Sequence, residues 1–362
     1  MTDFAKPFSQ ARWFDVIPRS AACPALSRRV LLHAGPPFRG ALPAPIVNAA
    51  VQALIFEGLA SDTTSAREVL AQGGAELRPA QDHGIVVPLA QVVSASMPLA
   101  AIRQRDAVRY APLLDARNPA LRFGCAAPEC LQRLREVDEW IREAVAPALH
   151  REPLALDEVI RPALAAGEEC HSLLAAANEA MLSRLPGIDI ASATRLRENS
   201  AFVLTLLMAA AAASLRVHRC EIVAIGGNGV DFGVRYFDEA TWRQAPAEAP
   251  RGTRLAGTDA LAPLPAIGDS GVIDFCGLGG QALAQAPTLA QEWRDLLPAD
   301  ALTRRQDLVD PQSGIVSPRR ITNTSLAPLI HLAILDRDGA AGLIGRGFYC
   351  PPVDLFARTI GR

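Results

Sequence analysis

The alternation of apolar and polar positions predicts a mixed α/β chain that changes texture twice. An apolar run, Val30-Leu31-Leu32-His33, reads as a strand that stops at Ala34-Gly35-Pro36-Pro37, and helical spacing follows from Pro45 to Leu59 and from Ser65 to Gln72. Gly73-Gly74 ends that helix, and the apolar stretch Ile85–Val93 suits a buried strand. Beyond Pro128 the period becomes helical. Leu131, Leu134, Val137, Ile141 and Val145 recur at spacings of three and four, with proline at the first turn. Asp157 is placed to cap a next helix with Pro162 near its start, Gly167 separates it from a helix over Glu168–Leu185 ended by Pro186-Gly187, and an alanine- and leucine-rich helix covers Ala193–Arg216. After Cys220 the pattern turns to strands. Glu221–Ile225 and Val230–Phe237 flank Gly226-Gly227-Asn228-Gly229 as a β-hairpin, because Asn-Gly accepts the positive φ that a tight turn needs. Pro246–Pro265 reads as a surface loop, Gly271–Phe275 as a strand, and Gly339–Gly347 as a glycine-rich turn before the closing segment Tyr349–Phe356.

These changes of texture divide the chain into an N-terminal α/β part (1–125), a central helical bundle (126–218) and a C-terminal α/β part with glycine-rich turns (219–362). The length supports two or three subdomains. Half the residues are hydrophobic, a fifth are charged and the net charge is −2, an ordinary globular balance that offers nothing to nucleic acid. The apolar run Ala201–Leu215 falls short of the roughly 20 residues that span a bilayer. It is expected to be a buried helix, and with no apolar leader over Met1–Ser20 the expected compartment is the cytoplasm.

Lys6 is the only lysine, which removes Schiff-base chemistry and lysine-centred phosphate loops from consideration. An anion must then be held by arginine or by backbone N–H groups. The seven cysteines are scattered without a CxxC pair, so neither a disulfide framework nor a zinc knuckle is expected, and no metal or other cofactor is implied. Val272–Ala284 reads as strand, glycine turn and helix start, a pattern that aims unpaired N–H groups at one spot. Gly277, Gly279 and Gly280 are therefore the candidate anion cradle, with a merely tight turn as the plain alternative. Gly277-x-Gly279-x-x-Ala282 fits a loose dinucleotide pattern but lacks the acidic residue about 20 positions on.

Glu168 and His171, three residues apart on one predicted helix, offer an acid–base pair or two ligands of a metal site that lacks its second pair. His33 and His83 stand at loop–strand junctions, where functional groups are often placed. Asp231 and Arg235 share the hairpin face opposite Val230, Phe232, Val234 and Tyr236, a pattern that a solvated ion pair would also give. No Gly-x-Ser-x-Gly elbow is present.

Several segments, taken in order, resemble the YlbE-like or YahG-like family, which contains large subunits of oxamate carbamoyltransferase. They are Leu32-His33-Ala34-Gly35-Pro36-Pro37; Phe56-Glu57-Gly58-Leu59-Ala60; His83 with Pro88 and Ser94-Ala95-Ser96-Met97-Pro98; Leu121-Arg122-Phe123-Gly124; Gly167-Glu168-Glu169-Cys170-His171; Asn228-Gly229-Val230-Asp231-Phe232-Gly233; Ile267-Gly268-Asp269-Ser270; Gly277-Leu278-Gly279-Gly280; and Gly345-Arg346-Gly347. The resemblance implies carbamoyl transfer between oxalurate and phosphate or a related small-amide reaction, in the setting of allantoin use. It implies a small anionic substrate and companion subunits, including an acyl-CoA-synthetase-like one, with a homo-oligomer also open. It suggests His83, Glu168 and His171 for proton handling and His33, Arg122, Asn228, Asp231, Asp269, the three glycines and Arg346 for binding. The sequence departs from the family at Gln81-Asp82-His83, where the family is richer in histidine, at Ser172-Leu173-Leu174, at Gly227 in place of arginine, and at Leu335-Asp336 in place of Ala-His. Such losses also fit a non-catalytic scaffold or small-anion-binding subunit.

Overall fold

The computed structural model describes residues 3–113, 117–185, 187–199 and 201–358. Its mixed α/β fold is organised by four small sheets around one long buried helix. The first sheet is antiparallel, in the order β6 (Ala107–Pro112), β5 (Pro98–Gln104), β1 (Arg12–Pro18), β7 (Leu154–Ala155). Against β5 and β6 lies the helix Phe202–Val217, whose residues are buried from Phe202 through Leu215. A helix apolar on every side can be stable only when covered on every side, and Trp13 of β1 meets its start at 6.1 Å from the Phe202 ring.

The second sheet runs β10 (Arg243–Pro246), β9 (Asp231–Tyr236), β8 (Ile222–Asn228), β12 (Ile267–Gly268). The expected hairpin is its centre: Gly226 faces Gly233, and Asn228 Oδ1 accepts from the N–H groups of Val230 (2.9 Å) and Asp231 (2.8 Å) to hold the turn. Phe232, Val234 and Tyr236 point into the core as their alternation requires. The third sheet is β11 (Arg251–Arg254), β14 (Leu343–Tyr349), β13 (Ile330–Leu335). In the fourth, β2 (Val30–His33) pairs in parallel with β3 (Glu76–Pro79) and antiparallel with β4 (Val92–Val93). The helices Ala44–Phe56 and Thr63–Ala71 make the crossover between β2 and β3. Asp62 caps the second of these by accepting from Ser65 N at 2.8 Å.

Several sequence expectations are corrected. Gly271–Phe275 is a short helix, not a strand, and Pro246–Pro265 contains strand β11. Only Val92–Val93 of the stretch Ile85–Val93 is a strand. Leu89 has φ +52°, and the N–H groups of Val87 and Ala90 go to Asp269 and to the Arg122 carbonyl instead of a ladder. The expected helix over Glu168–Leu185 forms only at Ala175–Leu182, because Gly167 (φ +84°) and Cys170 (φ +65°) turn the preceding chain out of helical geometry. Its expected stop falls partly on Pro186, outside the described residues. Ala193–Arg216 is two helices, Ile190–Glu198 and Phe202–Val217. The helix opened by Pro128 runs to Trp140, and a wider turn at Ile141–Val145 carries it into Ala146–Arg151. Asp157 is the first residue of its helix rather than its cap, and Pro162 lies inside that helix. The turn at Gly339 gives way to strand at Leu343. Among the described residues no single helix is long and apolar enough to cross a membrane.

Candidate active site

The non-helical turn after Gly167 is where chemistry concentrates. Glu168 turns toward the start of helix Ala175–Leu182 and accepts from Ala176 N (2.8 Å) and Ala177 N (3.2 Å), the work of a helix cap. Its neighbour Glu169, which sequence reasoning passed over, is fully buried. It accepts from Ser172 N, from Leu173 N at 3.0 Å, and pairs with His331 Nδ1 at 2.9 Å. Burial alone would raise its pKa, but the His331 hydrogen bond and charge and the Ser172 N–H hold it down at about 2.

His171 points the other way. Its Nδ1 lies 2.9 Å from Asp274 Oδ2 as a buried ion pair. Burial pushes the imidazole pKa down, and the charges of Asp274 and Glu169 with the Asp274 contact more than reverse it, leaving His171 above the ordinary range. The other oxygen, Asp274 Oδ1, accepts from Gly280 N at 2.7 Å and from His331 N at 3.2 Å. The two imidazoles sit 6.0 Å apart, each backed by its own carboxylate. Ser172 Oγ approaches His331 at 3.3 Å, but at the same Nδ1 that Glu169 occupies, so His331 is not arranged as a base for a serine nucleophile.

The N–H groups of the glycine turn are taken up within the protein, one by a carboxylate and two by backbone carbonyls. Gly280 N binds Asp274, Gly279 N donates to the Glu169 carbonyl at 2.8 Å, and Gly277 N donates to the Asp274 carbonyl at 3.0 Å. Gly279 has φ +52°, and a Cβ there would stand 2.2 Å from Asp274 Oδ1. The turn therefore positions the carboxylate behind His171.

In front of His171 opens a cavity of about 530 Å³. Arg122, from the turn Leu121–Phe123, Arg254 at the end of β11 and Arg346 of β14 reach it from three distant stretches of chain. Among the described residues Glu292 is the one carboxylate in its lining, and it pairs with Arg346 at 2.5 Å. Arg254 is anchored by donating to the carbonyls of Thr258 and Leu261, both at 2.7 Å. Leu89, Phe123, Leu174, Leu204, Leu332 and Leu343 are the larger apolar side chains of the remaining wall, together with Leu255. Three guanidinium groups and a histidine thus line the cavity with one carboxylate, two of them engaged by acidic partners, Arg346 by Glu292 and His171 by Asp274.

Of the sequence candidates, Arg122, His171 and Arg346 meet at this cavity. The others lie elsewhere. His33 is buried, its Nδ1 2.8 Å from the Ala34 carbonyl and its ring 4.5 Å from Phe38, and burial pushes its pKa down to about 4. His83 is half-buried at the end of a short turn, its pKa lowered chiefly by burial. Asn228 Nδ2 donates to the Pro36 carbonyl at 2.9 Å, and Asp231 accepts from Gln244 at 2.8 Å. Arg235 pairs across to Asp82 at 3.1 Å. Asp269 fastens three segments: Oδ1 accepts from Gly35 N (2.8 Å) and Gln81 Nε2 (2.7 Å), and Oδ2 from Val87 N (2.8 Å). Among the described residues no group of three or more histidine, cysteine or acidic side chains is placed to hold a metal ion.

The family profile described as oxamate carbamoyltransferase subunit AllG matches residues 75–270. Two curated relatives come from Escherichia coli strain K12. The uncharacterized protein YahG is 28% identical over 377 residues, covering 93% of this chain and 79% of its own. The oxamate carbamoyltransferase subunit AllG is 27% identical over 396 residues, covering 97% and 93%. A crystal structure of a conserved protein of unknown function from Enterococcus faecalis V583 superposes with a TM-score of 0.84 at 24% identity, over 98% of this chain and 94% of that one, and so shares the fold.

Proposed function

The chain belongs to the AllG family of oxamate carbamoyltransferase subunits, and from that premise we propose that it transfers a carbamoyl group between oxalurate and phosphate, or in a closely related small-amide reaction. It does so in the cytoplasm with companion subunits. The observation that carries this reading is the convergence of Arg122, Arg254 and Arg346 with His171 on one cavity. A phosphate oxygen attacks the carbamoyl carbon, the C–O bond forms as the C–N bond breaks, and the electron pair leaves on the amide nitrogen. His171, its Nδ1 engaged by Asp274, presents Nε2 and delivers the proton that this nitrogen takes up. Negative charge on the carbonyl oxygen and on phosphate falls to the arginines. Oxamate and carbamoyl phosphate leave. The test is a single-turnover assay with oxalurate and phosphate, with and without companion subunits, read for carbamoyl phosphate. Full activity of His171→Asn in an otherwise active complex overturns the assignment.

One observation favours a second reading, a non-catalytic or anion-binding subunit. A Cβ at Gly227 would stand 2.2 Å from the Ala266 carbonyl oxygen, so the arginine usual there has no room. Companion subunits that assemble with this chain yet show the same transfer rate without it would support that reading.

A further inference from the structure

The cavity is larger and more apolar than oxalurate requires. At about 530 Å³ it falls in the range of about 300–1,000 Å³ that encloses drug-sized ligands, whereas a water molecule takes about 30 Å³ and oxalurate is only a few times larger. Oxalurate is polar along its whole length, so Leu89, Leu174, Leu204 and Leu332 would face water or an empty gap when it bound. These four leucines come from four parts of the chain: Leu89 from the irregular loop before β4, Leu174 from the start of helix Ala175–Leu182 just beyond His171, Leu204 from the long buried helix and Leu332 from β13. Of the polar groups, His171 and Ser172 share the turn that leads to Leu174, Arg122 lies on the turn Leu121–Phe123, and Thr253, Arg254, Glu292 and Arg346 gather about β11 and β14.

We infer that the ligand of this cavity is a ureido acid bearing an apolar side group: a carboxylate for the arginines, a carbamoylated nitrogen beside His171, and a hydrocarbon against the leucines. Oxalurate shares the first two features and lacks the third. The inference rests on the cavity being the site of transfer, and adds the third recognition element. Carboxylate binding by arginine is charge-assisted and geometrically selective. Apolar burial adds affinity without direction, so side-group size rather than shape is what the leucine wall reads.

Isothermal titration of the full chain with N-carbamoylglycine and N-carbamoylleucine tests this, because both carry the same ureido and carboxylate groups. Each buried methylene tightens binding by roughly threefold to fourfold, so the leucine compound is expected to bind at least about tenfold tighter. N-carbamoylleucinamide, without the carboxylate, is expected to lose that affinity. Ala333→Phe, which adds bulk at the cavity wall on β13, should shrink the preference for leucine over glycine. Leu204→Ala, which removes wall instead of adding it, should do the same without crowding. Equal or weaker binding of the leucine compound, or a preference that neither variant alters, overturns the inference. If oxalurate is still bound and turned over in that case, only the ligand class falls. If no ureido acid binds and no transfer is seen, the cavity reading falls with it.

Discussion

At the junction around Asp269 and on the turn behind the cavity around Glu169, the protein buries a carboxylate completely, and the two respond in opposite directions. Asp269 receives three hydrogen bonds from neutral donors, and burial still pushes its pKa up to about 7. Glu169 receives two backbone N–H groups and a histidine, and stands at about 2. Neutral donors offset only part of the cost of desolvating a charge, while for Glu169 the histidine contact together with the backbone N–H groups reverses it. The Asp269 junction is thus a fastening that tolerates a proton. Glu169, held at about 2, keeps its charge down to far lower pH.

The largest expected break in this contrast is Glu169→Ala, which strands His331 and two N–H groups in a dry interior. It should cost about 3–5 kcal/mol in urea unfolding, in the manner of a buried pair deprived of one partner. A loss below 1 kcal/mol would mean that water reaches the pair. Next comes His171→Asn, which keeps a polar side chain beside Asp274 but removes the proton donor. The rate of carbamoyl transfer, measured on the fraction that is folded, should fall about a hundredfold or more.

Asp269→Asn places an N–H₂ group where only acceptors fit. It should cost about 1–3 kcal/mol at acidic pH, measured by urea unfolding. The pH profile separates the two carboxylates. A raised folded pKa means that the contribution of Asp269 is fully present below the ordinary carboxylate range and is lost as pH rises through about 7. For Glu169 the sign is opposite: its contribution is present above about 4.5 and is lost as pH falls toward 2. Asp269→Asn should therefore flatten the decline between about pH 4 and about pH 7, and Glu169→Gln the decline in acid; unaltered slopes would refute the assignment of these limbs. The smallest effect belongs to Ser172→Ala, which removes a 3.3 Å contact on an already occupied nitrogen. Stability should change by about 0.5–1.5 kcal/mol, and a transfer rate that survives would exclude the serine as nucleophile.

The parts legible in the sequence are those whose cause is local. Asn228-Gly229 specifies its hairpin, and the run from Phe202 to Leu215 specifies burial. Gly271–Phe275 reads as a strand from sequence because Val272 and Ile273 are β-branched and a segment of five residues is too short to show a helical period. Glu168 was preferred to Glu169 because His171 lies three residues beyond it, a spacing that matters only on a helix, and no helix forms there. His331, the partner of Glu169, lies 162 residues away within an apolar strand. Its polar side chain amid Ile330 and Leu332 was the one available signal. Family resemblance supplied Arg122 and Arg346, but the pairing of Arg346 with Glu292 is visible only once the chain has folded.

The separation between Glu169 and His331 also sets an order of events in assembly. When residue 169 leaves the ribosome, the strand that will neutralise it has not been made, and the glycine turn has nothing to orient. Closing so long a loop costs little more than closing a short one, since the entropic penalty grows only with the logarithm of length, but the contact must wait for the polymer to exist. A nascent chain halted before Ile330 should therefore keep the Gly167–Leu174 segment open to amide exchange and protease. The same segment should close in the finished chain, when β13 slides in beside it.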